Sequence, residues 1–168
     1  MIQPDIYWIK AFEAGHLAMM PRPRAGDWLE DEIKGLRHEG VDTLVSLLTL
    51  SEMQELELTE ESDICQAHSI EFISFPIPDR TVPSSVTQTL QLCQSLLAQL
   101  MAGQKVAIHC RAGIGRSALI AACILVCAGI SPTMAYAMVA KSRGLAVPDT
   151  EEQELWLDIF AQRLAMGY

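Results

Sequence analysis

Residues 105–118 read KVAIHCRAGIGRSA, and two designs compete for them. Gly113, Gly115 and Ala118 fit the G-x-G-x-x-G/A turn that leaves a strand and opens a helix in dinucleotide-binding folds. Cys110 and Arg116 fit another design, in which a thiolate and a guanidinium joined by a glycine-rich turn close around one phosphate group. The residues that follow separate the two. A dinucleotide fold continues into a second strand and an acidic residue about 20 positions on. Here no Asp or Glu occurs between Arg111 and Pro148, and SPTMAYAMVAKSR (131–143) has the composition and start signal of a helix.

The phosphate reading uses every residue of the stretch. Gly113 and Gly115 tolerate positive φ, so consecutive backbone N–H groups of Arg111, Ala112, Gly113, Ile114 and Gly115 turn inward as an anion nest, and the helix that follows adds its N-terminal dipole. The same environment acts on the cysteine. A free thiol with pKa near ~8.5 is mostly protonated at neutral pH, but helix N-termini and nearby cations lower such groups to ~3.5–7.5. Cys110 then needs no separate base to become a nucleophile. Arg116 holds two phosphoryl oxygens in its planar fork, contacts that strengthen as charge spreads over those oxygens in the transition state.

His109, Cys110, Arg116 and Ser117 in this spacing form the H-C-x5-R-S/T signature, and the chain resembles the protein tyrosine and dual-specificity phosphatases that carry it. It is most similar to the compact, atypical dual-specificity members, from about Asp27 to Phe160. The resemblance implies an α/β fold, a central, mostly parallel sheet of four to five strands flanked by helices, and a cysteinyl-phosphate intermediate formed without metal or other cofactor. It implies further that Asp79, in FPIPDR some thirty residues before Cys110, is the general acid. Ser117 would hydrogen-bond the sulfur, making it a better leaving group, and His109 would orient the loop. Where the larger tyrosine-specific members carry a water-positioning glutamine, aligning T-x-x-Q puts Asp149 at that place and Gln153 nearby, so both are candidates for handling water. For Gln153 a capping box with Thr150 is a sufficient alternative. Arg22 and Arg24, in MMPRPRAGDW, are candidates for positive charge beside the pocket or for a solvated linker.

The substrate class follows less directly. Lipid phosphatases of the superfamily carry two lysines inside the loop, whereas Arg111 and Ile114 stand there in this chain, as in protein phosphatases. Phosphotyrosine is the expected substrate, with phosphoserine and phosphothreonine admitted by a shallow pocket. The alternatives are a phospho-binding module that does not turn over, a phosphatase for a non-protein ester, and a sulfur-transferring or arsenate-reducing cysteine enzyme. The PD segment upstream of the cysteine argues against the last of these.

The rest of the chain sets bounds. Its 168 residues are expected to form one domain, and its net charge of −9 disfavours nucleic acid and anionic membranes as partners. The longest apolar run, Ala118 to Ile130, is thirteen residues, short of the roughly 20 that a membrane span needs, and reads as a buried helix. Asp5 and Lys10 interrupt any signal peptide, and an odd number of cysteines, five, without framework spacing points to free thiols in the cytoplasm, Cys123 and Cys127 among them as packing residues. Oligomeric state is not legible.

Strands are expected at 6–9, 17–20, 41–48, 70–77 and 105–109. An Asp27–Glu30 capping box should start a helix carrying Leu29, Ile33 and Leu36 to a stop at Gly40. One or two short helices, their charges a solvated face, occupy 51–68. Ser84 or Ser85 opens a helix with Val86, Leu90, Cys93, Leu97 and Leu100 inward, ending at Gly103; others span 116–128 and begin at Ser131. The last, after Thr150, should bury Leu155, Ile159 and Phe160.

Overall fold

KVAIH is a strand at the centre of a five-stranded sheet. In chain order the elements are β1 (Tyr7–Phe12), β2 (Gly15–Met20), α1 (Leu29–His38), β3 (Thr43–Ser46), α2 (Leu50–Glu55), α3 (Glu61–Ala67), β4 (Glu71–Ser74), α4 (Val86–Met101), β5 (Lys105–His109), α5 (Arg116–Cys127), α6 (Pro132–Arg143) and α7 (Glu151–Ala165). This computed structural model describes residues 2–167. The sheet order is β1-β2-β5-β3-β4. Only the β1–β2 pair is antiparallel, while the β2–β5, β5–β3 and β3–β4 pairs are parallel.

Both faces of this sheet are covered, which is why its inner strands read as continuous apolar runs. Leu17, Met19, Val45, Val106 and Ile108 pack with α4, α5, α6 and α7, and the alternating Ala18, Met20, Leu44 and Ala107 pack with α1 and α3. Helix α5 is buried from Arg116 to Val126, as a helix apolar on all sides must be. Register decides where the site falls. Met20 and Ser46 both pair with His109, so β2, β3 and β5 end together and Cys110 emerges at the carboxyl edge of the sheet, where parallel α/β sheets present ligand sites.

Several local expectations need correction. Strand β1 runs on to Phe12, because Glu13 and Ala14 make a tight hairpin with Glu13 at φ 55°. Strands β3 and β4 are shorter than their apolar runs; past Ser74, Pro76 and Pro78 supply no N–H to the ladder. The Asp27–Glu30 capping box is absent. A 3-10 turn at Gly26–Trp28 feeds straight into α1, and Trp28 at the cap position already has helical backbone angles, leaving no extended residue to accept the first-turn N–H groups. In α7 the inward face is Gln153, Trp156, Leu157 and Phe160, while Leu155 and Ile159 are 55% and 50% exposed. Trp156, Leu157 and Phe160 set this face, and Gln153, one turn earlier, is buried on the same stripe. Ser85, Ser131 and Thr150 cap α4, α6 and α7 through their side chains as expected. No helix among the described residues is long and apolar enough to cross a membrane.

Candidate active site

The turn between β5 and α5 is tight because two glycines sit where no side chain fits. Gly113 has φ 69°, and a Cβ there would stand 2.8 Å from the Met20 carbonyl carbon; one on Gly115 would meet Asp149 Cβ at 2.9 Å and the Gln153 amide at 3.0 Å. Outside the turn, Arg143 at the end of α6 donates from Nε to Gly113 O at 2.9 Å and from Nη2 to Ala112 O at 3.3 Å, its guanidinium lying over the Tyr7 ring. Carbonyls held outward in this way leave the opposite side of the turn to the N–H groups.

The turn lines a cleft of about 190 Å³. Cys110, Arg111, Ala112, Ile114, Gly115 and Arg116 form its floor, and Asp79, Arg80, Asp149 and Gln153 its walls. Cys110 Sγ lies 3.3 Å from Ser117 Oγ, and the Ser117 side chain is buried in the first turn of α5. A hydroxyl at that distance donates to the sulfur once it is ionised.

Arg116 is almost wholly buried, and its fork is fixed from three directions. Nη1 donates to Glu52 Oε1 at 2.7 Å and to Ile77 O at 2.8 Å; Nη2 donates to Glu52 Oε2 at 2.9 Å and to Asp79 Oδ1 at 3.0 Å. Glu52 is itself held, since it closes a capping box at the start of α2: Glu52 Oε1 accepts from Thr49 N at 3.1 Å, and Thr49 Oγ1 accepts from Glu52 N at 3.2 Å. Burial pushes the Glu52 carboxyl up, but the Arg116 hydrogen bonds and the Thr49 cap outweigh it and leave Glu52 below the usual glutamate value.

The segment carrying Asp79 is tied to α7. Thr81 O accepts from Gln153 Nε2 at 3.0 Å, and Arg80, at φ 61°, donates to Asp149 Oδ2 at 2.7 Å. Asp79 remains half-exposed, with its carboxylate facing the cleft and Arg116. Gln153 Oε1 in turn accepts from Asp149 N and Thr150 N. Its amide is thus committed to capping α7 and bracing the Asp79 segment.

Behind the loop, His109 and Glu61 are both fully buried. His109 Nε2 is 2.6 Å from Glu61 Oε1, and Nδ1 is 3.2 Å from Cys110 O. Burial opposes a charge on this ring, yet the Glu61 carboxylate raises His109 above its ordinary value.

Cys110, Arg116, Asp79, Ser117, Asp149 and Gln153 are thus brought together. Arg24 is not, and Arg22 meets the loop through its backbone, Arg22 N donating to Arg111 O at 3.2 Å. Neither lines the cleft, and Arg24 donates from N and Nη1 to Glu32 Oε1 at 2.9 and 3.2 Å, closing off the start of α1. Arg111 does line it, with its side chain drawn toward Glu52 and Glu55. Glu52, Glu61 and Arg143 were not singled out in the sequence. The first had a legible signal, the T-x-x-E spacing of Thr49 and Glu52; Glu61 and Arg143 read as ordinary residues of a charged stretch and a helix end.

Known proteins resemble this chain in sequence and fold. The rat (Rattus norvegicus) cyclin-dependent kinase inhibitor 3 is 28% identical over 139 residues, 82% of this chain and 65% of the relative, so the chain spans just under two thirds of that protein's length. The crystal structure of kinase associated phosphatase, with serine replacing its catalytic-site cysteine, superposes at a TM-score of 0.87 over 98% of both chains, with 23% identity. Tk-PTP in its active form gives 0.74 and 28% identity over 96% of this chain and 99% of its own. The family model described as "Polymorphic toxin system, DSP-PTPase phosphatase" matches residues 18–130. With that match spanning most of its length, the chain belongs to the dual-specificity-type DSP-PTPase phosphatase family.

Proposed function

We propose that this chain hydrolyses phosphate monoesters on proteins through a cysteinyl-phosphate intermediate. The carrying observation is the convergence of Cys110 Sγ, the Arg116 fork and the Asp79 carboxyl on one cleft. Phosphate would lie over the loop, its oxygens taken by the inward N–H groups and Arg116. Cys110 sulfur attacks phosphorus as the ester oxygen departs; an S–P bond forms, a P–O bond breaks, and protonated Asp79 gives its proton to the leaving oxygen. Water then attacks the phosphocysteine, the S–P bond breaks, and Asp79 recovers a proton. Ser117 stabilises the departing thiolate.

Gln153 is not assigned to water here, because its oxygen and one N–H are already engaged. Asp149 is paired with Arg80. Both act in this reading by holding the Asp79 segment over the cleft. Likeness to a cyclin-dependent kinase inhibitor and a kinase associated phosphatase supports a phosphoprotein as substrate. Phosphotyrosine is the first candidate, with phosphoserine and phosphothreonine next. A panel of phosphotyrosyl and phosphothreonyl peptides and phosphoinositides tests this. Turnover of the peptides in the presence of EDTA is expected; turnover confined to the lipids would make the chain a phosphatase for a non-protein ester, and binding without turnover a recognition module.

A further inference from the structure

The pair behind the nucleophile has no part in the chemistry above, and its geometry calls for one. His109 presents both ring nitrogens to acceptors. The Cys110 carbonyl accepts only, so Nδ1 must carry a proton; the 2.6 Å separation from Glu61 Oε1 fits a charge-assisted hydrogen bond, which a second proton on the ring would complete. Glu61 gains little else. Its other oxygen, Oε2, is buried with no partner among the described residues, and replacing a buried ion pair by apolar residues of similar size often leaves a fold as stable or more so. A device that is poor for stability stands immediately below the loop that holds the anion.

We propose that Glu61 is a positioning residue that sets the reactivity of Cys110, by holding His109 as an imidazolium against the base of the phosphate loop. The proposal rests on Cys110 being the nucleophile. The cation neighbours the sulfur along the chain, while the compensating carboxylate lies on the far side of the ring, in α3. The arrangement therefore favours negative charge on sulfur and pins the Cys110 carbonyl away from the cleft. The other groups facing the pair are the Arg116 guanidinium, which repels a proton from His109 and itself interacts with the Cys110 sulfur, and Cys65, one turn along α3, whose thiol burial and Glu61 push up to about 12. Burial also works against the charge on His109, and Glu61 and the Cys110 carbonyl outweigh both.

Glu61→Gln tests this, since the amide is nearly the same shape and lets His109 become neutral. The readout is the pH dependence of Cys110 alkylation by iodoacetate, followed by peptide mass spectrometry, which needs no turnover. The midpoint should rise by on the order of one pH unit with the high-pH plateau kept, and the acid limb of kcat/KM on an aryl phosphate should move with it. His109→Gln should give a similar rise, and the double variant little more. A folded Glu61→Gln protein with an unchanged alkylation profile overturns the proposal. Should that variant not fold, 15N NMR of the wild-type ring decides: both His109 nitrogens protonated at neutral pH supports it, a neutral ring overturns it. Failure of the phosphatase reading looks different, namely alkylation of the wild type at low pH with no hydrolysis of any phosphate ester.

Discussion

Glu52→Gln is the perturbation whose size the structure lets us work out. Oε1 of Glu52 serves Thr49 and Arg116 Nη1, whereas Oε2 serves Arg116 Nη2 alone. A glutamine oxygen at the first position preserves the helix cap and one hydrogen bond, while its NH2 at the second opposes a guanidinium donor at the former 2.9 Å distance. The loss is then one hydrogen bond to a charged group in a buried setting, about 2–3 kcal/mol. It stays below the ~3–5 kcal/mol of stripping a buried ion of its partner, because Ile77 O and Asp79 still hold Arg116. At about 2–4 °C per kcal/mol for a chain of this size, Tm should fall by about 4–12 °C. The freed Nη2 also turns from the position where it meets phosphoryl oxygen. Those contacts are strongest in the transition state, so kcat on an aryl phosphate should drop at least ~10-fold, approaching the ~10²–10³ of losing an oxyanion donor, with KM changed less. Thermal unfolding by circular dichroism and steady-state kinetics read both. An unchanged Tm and kcat would refute the role given to the Glu52–Arg116 fork; a lowered Tm at full kcat would reduce it to scaffolding.

The same pair sets an acid limit. Because the folded-state value of Glu52 is lowered, its contribution is complete above the ordinary glutamate value of 4.5 and lost as pH falls through the folded value. The stability gap between wild type and Glu52→Gln should therefore narrow on acidification below that value and be flat above it, which denaturant midpoints against pH will show. Asp79→Asn should lower kcat on a phosphopeptide by about 10²–10⁴ and on p-nitrophenyl phosphate by much less, since that leaving group departs easily as an anion; equal losses on both would remove Asp79 as the acid. Burial pushes Cys65 and Cys127 up to about 12 and Cys123 well above its ordinary value, so peroxide should oxidise Cys110 ahead of all three, as peptide mass spectrometry with parallel activity loss would show.

What the sequence could convey depended on whether a residue's role is local. The phosphate loop is contiguous, and its glycines, nucleophile, arginine and following helix are all read within a dozen residues. The continuous apolar runs likewise read as buried strands, because burial acts on each strand separately. Glu61 was hidden for the opposite reason, and of Glu52 only the helix cap was legible: both belong to an acidic stretch, and only folding brings two of its carboxylates under Arg116 and His109 while the others stay in solvent. Gln153 misled twice. It lies on the buried stripe that runs on through Trp156, Leu157 and Phe160, so that Leu155 and Ile159 face outward, and its hydrogen bond to Thr81 O makes it a brace for the Asp79 segment. Arg22 does lie beside the loop, its N–H on Arg111 O at 3.2 Å, without lining the cleft, and the chain then leaves toward α1, where Glu32 takes Arg24.

The central claim is that Cys110 carries the phosphoryl group, and the most direct measurement is a rapid acid quench of the enzyme turning over an aryl phosphate, followed by peptide mass spectrometry. A phosphoryl adduct on Cys110 is expected, approaching one per chain when hydrolysis of the intermediate limits the rate. In Cys110→Ser, both adduct and turnover should be lost while inorganic vanadate still binds, because the loop and Arg116 remain. Turnover that survives in Cys110→Ser, or wild-type turnover with the adduct on another residue, would contradict the account.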